Sequence, residues 1–381
     1  MSFLWPSQSR SVSLTDVGVR RRGSGGGGHR VSSAKAMRVS AVWAAIRLRA
    51  DMISSLPVDV LKRYPGISMA IEVKKPAVLE SPDEWTDGQP MTIADWLYAT
   101  QSDLDSYGNT FGIITKVDGA GLPREIHLVD AGEVTVKGKG SRVTGYTVMG
   151  KPYEPSKIWH ERQYVSSGSP VGLSPVAHAA LALSGNLSAT EFALEWFDRG
   201  ATPSTILKNQ AQVLDAEQAS RIKRRISASM RNGEPAVVGK DWEITIAAAR
   251  AKDAAFLELM DHGTVEIARF FSVPADLIDA AVSGQSVTYA NLTQRNLQFL
   301  IMNLGPAIKR REDALKRVVG AGAFVKLNTE ALLRMDPKER RELLIKEVAG
   351  GVKTVNEARE LENMPPVAEP ESAISTSEGE S

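Results

Sequence analysis

"EIARFFSVPADLIDAAVSGQSVTYANL", residues 266–292, divides two amphipathic stretches with a segment that carries little charge. Upstream, Asp253 to Phe271 sets Phe256, Met260, Ile267 and Phe270 at helical spacing. Downstream, Leu297, Ile301, Leu304 and Ile308 resume the same period. Val273-Pro274 stops the first helix, because proline has no N–H and disfavours helical geometry in the residue before it. The loop centred on Ser283-Gly284-Gln285-Ser286 is small and uncharged. Such a loop is either a lid over chemistry or a surface that touches something passing by.

Working outward, Gly305-Pro306 falls inside the second helix and predicts a kink. Before the first lies a compact insert. "STILK" reads as a strand, Asp215 caps a helix over 215–231, and "AVVGKDWEITI" reads as a hairpin-like pair with Trp242, Ile244 and Ile246 on one face. Further upstream, "SPVAHAALALSGNLSATEFALEWFDRG" is a long helix with Ser174 as N-cap, Pro175 in the first turn and Gly200 at its end. Residues 34–56 form one amphipathic helix through Val39, Val42, Trp43, Ile46 and Ile53. "VDVLKRY" is a strand, Thr92 caps a second helix, and several short strands with glycine turns follow to about residue 148. "DPKERRELLIKEVAGGVKTVNEARELENMPP" supplies two closing helices. The termini, 1–33 with "RRRGSGGGGHR" and the acidic 368–381, read as disordered tails. The pattern is α+β and helix-rich.

Composition narrows the function. The chain has 381 residues, 43% hydrophobic and 24% charged, which suits a folded protein of several domains. It has no cysteine, so disulfides, thiolate zinc sites and thiol nucleophiles are excluded. No apolar run reaches membrane-span length, and the start lacks a signal-peptide core, which fits a cytoplasm-like compartment. A formal net charge of +1 argues against tight, many-phosphate binding of nucleic acid.

A search for catalytic groups gives little. The histidines His29, His127, His160, His178 and His262 show no metal-binding spacing, and no phosphate-binding loop is present, so no metal or cofactor is expected. "GLSPV" at 172–176 departs from a nucleophile elbow by the proline after Ser174, and helix capping accounts for it. A hydrolase acting through Ser174 and His160, such as a prohead serine protease, is the alternative reading, with His160 otherwise a partly buried structural residue. The basic run Arg221, Lys223, Arg224, Arg225 and Arg231 is either a solvated helix face or a contact to DNA or protein.

In this order, "SAVWAAIRLRADMISSLPVDVLKR", "DSYGNTFGIIT", "REIHLVDAGEVTV", "GLSPVAHAA", "EIARFFSVPADLI" and "VNEARELENMPPV" resemble motifs of the portal proteins of tailed bacteriophages, in the compact siphophage form. The similarity spans about residues 34–367. The family often carries a second proline and a glycine soon after Val-Pro, where Ala275 and Asp279 stand here. The resemblance implies a non-enzymatic homo-oligomer, a dodecameric ring at one capsid vertex of the virion, assembled in the host cytoplasm. Double-stranded DNA passes through it without sequence preference during packaging and ejection. Partners implied are the terminase large subunit, which hydrolyses the ATP, the major capsid protein or scaffold, and a head-completion adaptor; no membrane is involved. The implied regions are wing 34–175, stem helices 176–200 and 252–279, and a clip over 201–251. A tunnel loop follows at 280–290, then a kinked helix and wing return strand over 291–335, and a crown of helices over 336–367. Val282, Ser283, Gly284, Gln285, Ser286, Val287 and Thr288 would face the DNA. The basic residues from Arg221 to Arg231 would meet terminase, adaptor or DNA.

Overall fold

The computed structural model describes residues 10–13, 32–66, 69–198, 205–209, 215–231, 242–246, 263–278, 289–329, 337–362 and 364–367. The chain divides into two compact units, 1–327 and 328–381.

The first unit is α+β. Helix Ser40–Ser54 buries Val42, Ile46 and Ile53 against helix Ile93–Tyr107, which buries Trp96, Leu97 and Leu104. The expected single helix from residue 34 is instead a short turn, Ser33–Ala36, and a fresh start at Ser40. Trp43, expected inside, is 47% exposed. Thr92 caps its helix as expected, its Oγ1 accepting from Asp95 N at 3.1 Å. Gly108 ends that helix at φ 71°, and a Cβ there would meet Leu173 O at 2.1 Å. Only glycine fits this corner, for reasons of both conformation and space.

Past the corner, strand Asn109–Val117 runs antiparallel between Ile158–Arg162 and Pro123–Val129. A second sheet has the order Arg10–Ser13, Val134–Lys139, Arg142–Val148, Lys151–Tyr153. Phe111, Val134, Val136, Tyr146 and Val148 share one core cluster, and Val12 packs against it. The expectation of a disordered 1–33 is therefore corrected at residues 10–13. Residues 10–13 form an edge strand, held by ladder hydrogen bonds that composition does not reveal. A third sheet pairs Ala323–Leu327 with Val58–Lys62, and Val58–Lys62 with Ile71–Glu72.

In the insert, Thr205–Asn209 pairs antiparallel with Trp242–Ile246, setting Leu207 opposite Ile244. The strand at 242–246 thus pairs across the insert, whereas a local partner was expected; residues 236–241 lie outside the described residues. Helix Ala216–Arg231 begins at Asp215, whose Oδ1 accepts from Gln218 N at 2.7 Å, as expected.

Further expectations are met or revised in the helices. The one starting at Pro175 breaks at Ala179, giving Pro175–His178 and then Ala180–Asp198. The one read over Asp253–Phe271 is helical over 263–270 among the described residues and stops ahead of Val273-Pro274, as expected. Phe271, not Phe270, is fully buried beside Ile267 and Ala268. Return helix Tyr289–Gln298 starts inside the expected 280–290 loop. It widens into a π-helical segment, Phe299–Leu304, before Gly305–Leu315. Pro306 offers no N–H to the carbonyl four residues back, and Gly305 N instead reaches Leu300 O, five back. The extra residue per turn rotates the earlier face. Leu304 and Ile308 are buried as expected, but Leu297 and Ile301 face outward, and Phe299 and Leu300 take the inner positions.

The second unit holds helices Pro337–Ala349 and Val355–Leu361, as the sequence predicts. Thr354 and Glu357 form a capping box at the second. Asn356 accepts from Val367 N at 2.9 Å and donates to Val367 O at 3.1 Å, while Arg359 Nε donates to Pro365 O. The Asn-Glu-x-Arg pattern thus pins the Pro-Pro segment to its own helix.

Candidate functional site

A set of local contacts flanks the interruption at 279–288. The helix over 263–270 approaches helix Ala180–Asp198 closely: a Cβ on Gly263 would meet Asn186 Nδ2 at 2.2 Å. It ends in a paired-bond cap, with Ser272 N donating to Arg269 O and Val273 N to Ala268 O. Ser272 occupies the left-handed region at φ 53°, where glycine is usual. Pro274 then leads into the 3₁₀ turn Ala275–Ile278. Asp276 in this turn lies 2.8 Å from Arg295 of the return helix, and Asn303 Nδ2 donates to Ser272 O at 2.9 Å. Two contacts thus close the base of the loop. Val282, Ser283, Gly284, Gln285, Ser286, Val287 and Thr288 themselves lie outside the described residues. Asp276, Arg295 and Asn303 were not singled out from sequence, since nothing in their spacing marks partners on different elements.

The return helix is anchored by buried charge. Arg311, 1% exposed, donates to Glu161 Oε2 at 2.9 Å and to the Thr100 hydroxyl, and its guanidinium lies over Trp96. Trp159 Nε1 also donates to Glu161, and Arg317 stacks on Trp159 at 3.8 Å. A buried ion pair fixes relative position more than it adds stability, and here Arg311 Nε is left without an acceptor among the described residues. Removing one partner would strand the other.

Arg221, Lys223 and Arg224 are exposed on helix Ala216–Arg231. Arg221 pairs with Glu217 one turn away. Arg225 and Arg231 lie on the same helix, their side chains outside the described set.

The hydrolase alternative fails on geometry. Ser174 Oγ accepts from Ala177 N at 3.1 Å and donates to Ser106 O at 2.6 Å, the expected N-cap. His160 is fully rather than partly buried and stacks on Phe111. Its Nδ1 is 2.9 Å from the Tyr146 hydroxyl and its Nε2 3.1 Å from Asn109 Oδ1. Burial, then the Arg162 and Arg317 charges, push its pKa well below the usual histidine value. Both ring nitrogens have partners and neither is Ser174, so no nucleophile and base are brought together. Among the described residues no cluster of metal-ligating groups occurs, and no helix is long and apolar enough to cross a membrane.

Comparison with known proteins places this architecture among structural components of phage heads. The family profile described as "Phage portal protein" matches residues 40–363, and the chain belongs to that family: it is a portal protein of a phage capsid. It is 26% identical over 363 residues to a probable portal protein of Streptomyces phage phiC31, covering 89% of this chain and 78% of that one. With the portal protein of Enterobacteria phage HK97 it is 24% identical over 352 residues, covering 88% and 81%. Among solved structures, an HK97-family phage portal protein from Corynebacterium diphtheriae superposes at TM-score 0.60 with 17% identity, covering 80% of this chain and 98% of that one. The neck of a native gene transfer agent particle, computed with C12 symmetry, matches at TM-score 0.57 and 24% identity, over 88% and 94%.

Proposed function

We propose that the chain is the repeating subunit of a twelve-fold ring at one capsid vertex, and that residues 282–288 line the channel through which double-stranded DNA enters and leaves. The observation that carries the reading is the closed base of the loop. Arg295 meets Asp276, and Asn303 meets Ser272, so the elements on either side of the uncharged residues 280–288 are tied to one another. A translocating duplex must slide. Each cationic contact adds affinity and hence drag, so an uncharged loop suits passage. The twelve-fold count rests on the C12 symmetry of a structural neighbour.

In this reading residues 34–175 and 291–335 form the wing, 176–200 and 252–279 the stem, 201–251 the clip and 336–367 the crown. The exposed cations Arg221, Lys223 and Arg224, with Arg225 and Arg231, meet the terminase large subunit, the head-completion adaptor or DNA. The wing meets major capsid protein or scaffold. ATP hydrolysis belongs to the terminase and the ring itself is not an enzyme. Assembly takes place in the host cytoplasm and the mature location is the virion.

Gln285→Lys and Gln285→Ser test the channel. The lysine variant adds one positive charge per subunit and should slow packaging at low salt, with partial relief as salt rises. The serine variant should package normally. Equal rates at low salt would remove residues 282–288 from the channel. Native mass spectrometry of the assembled particle gives the subunit number directly.

A further inference from the structure

Arg49, on helix Ser40–Ser54, is 1% exposed and donates from Nε to Asp105 Oδ2 at 3.0 Å. Gln101 Nε2 donates to the same oxygen at 3.0 Å, and Gln163 Nε2 to Asp105 Oδ1 at 2.8 Å. Asp105 is therefore fully engaged by three donors. Next to this group stands Arg310, half-buried, with its guanidinium 5.5 Å above the Tyr164 ring. Arg310 has no carboxylate partner among the described residues, and its buried Nε has no acceptor. Nη1 of Arg49 also has none. Burial pushes the Arg310 pKa down; Tyr164 pulls it back up, the nearby Arg49 charge pushes it down by less, and Asp105 raises it least.

Among the described residues two guanidiniums share one carboxylate. Arg310 is half-buried, so water takes up its outer N–H groups and screens part of its charge, but no second carboxylate faces it there. Tyr164, which forms the floor under Arg310, sits at φ 50°, a conformation that a bulky residue adopts only when its surroundings impose it. Its carbonyl is fixed by Leu173 N, so the ring is held in place from behind.

We propose that Arg310, Arg49 and Tyr164 form an oxyanion-binding site, taking a carboxylate or phosphate whose paired oxygens meet the half-buried Arg310 guanidinium over Tyr164, with the buried Arg49 charge behind it. Arginine presents a planar fork of donors that matches either group bidentately. The proposal does not depend on the channel reading. The ligand is either a free inorganic oxyanion or an aspartate or glutamate side chain of a second copy of this chain.

Inorganic phosphate titrated into the full-length protein, against sodium chloride of matched ionic strength, tests the site by thermal shift and calorimetry. The wild-type protein is expected to bind phosphate and to melt higher in it. Arg310→Gln should bind about tenfold or more weakly. In chloride Arg310→Gln should melt at or above the wild-type temperature, because it removes a like-charge neighbour from Arg49. Free subunits and assembled particles, separated by size, distinguish the two sources. Phosphate bound only by free subunits assigns the site to a carboxylate of a neighbouring copy, and phosphate bound by both assigns it to a free oxyanion. Phosphate bound by neither form, equal binding by Arg310→Gln, or a marked loss of stability of that variant in chloride overturns the proposal.

Discussion

Arg295 lies 2.8 Å from Asp276, tying the first turn-and-a-half of the return helix to the 3₁₀ turn that precedes residues 279–288. Both side chains are partly covered, at 29% and 21% exposure. The pair should therefore be worth more than a fully solvated one and less than a buried one. A double-mutant cycle with Asp276→Ala and Arg295→Ala is expected to give a coupling energy of about 0.5–1 kcal/mol by urea unfolding. A coupling indistinguishable from zero would mean that the stem of the loop is held by Asn303 and packing alone.

Ser272 offers a backbone test. Its left-handed φ of 53° costs a β-carbon-bearing residue what glycine avoids. Ser272→Gly should stabilise the first unit by about 0.5–1 kcal/mol, and Ser272→Val should destabilise it by about 1–2 kcal/mol. Both are read as shifts in urea midpoint at constant slope.

Stability should also depend on pH through Asp103. Burial pushes its carboxyl up from 3.8 to about 7, against the opposing hydrogen bond from Thr110 and with the support of the Asp130 charge. Between those two values the native state holds a proton that the unfolded chain has released. This contribution to stability is therefore fully present at the acid end and lost as pH rises towards 7. Asp103→Asn can still accept from Thr110 and has no proton to lose. It should match the wild type only below about pH 3.8, gain on it progressively as pH rises towards 7, and exceed it at pH 8 by on the order of a few kcal/mol. A variant less stable than wild type at pH 8 would contradict the shift.

Ser174→Ala separates capping from catalysis. The change removes the acceptor for Ala177 N and the donor to Ser106 O. It should cost about 1–2 kcal/mol in thermal unfolding while leaving assembly, and the integrity of co-expressed capsid protein, unchanged. Uncleaved capsid protein appearing only with the variant would restore the hydrolase reading.

What the sequence made legible was local. Caps at Thr92, Ser174 and Asp215 could be found because a short polar side chain serves an N–H two or three residues away. The strands of 109–148 carried their own glycine turns. Contacts between distant segments left no such trace. Nothing near Arg10 says that it will pair with Gly138, and nothing near Arg311 names Glu161. The π-helical segment escaped notice because Leu297, Ile301, Leu304 and Ile308 fit an ordinary helical period. Only the missing N–H of Pro306 hinted that the ladder must shift. Trp43 fitted the buried face by spacing and is nevertheless half-exposed, since spacing identifies a face without saying where its edge falls. For the candidate site, composition marks 282–288 as a loop, and these lie outside the described residues. The Asp276–Arg295 contact beside them leaves no mark in the sequence.

The anchoring of Arg311 carries a consequence for how the protein is made. Its partners Glu161 and Thr100 lie 150 and 211 residues earlier in the chain, and strand Ala323–Leu327 completes the sheet begun at Val58–Lys62. On a ribosome, the first half of the chain must wait, with Glu161 unpaired and one edge of that sheet open, until the last strand of the first unit emerges. Contacts of such high sequence separation slow folding and leave an interval in which strand edges can meet the wrong partner. Subunits should thus become competent to join one another only after synthesis has passed residue 327, so that premature, half-made chains are kept out of the growing particle by the order of translation itself.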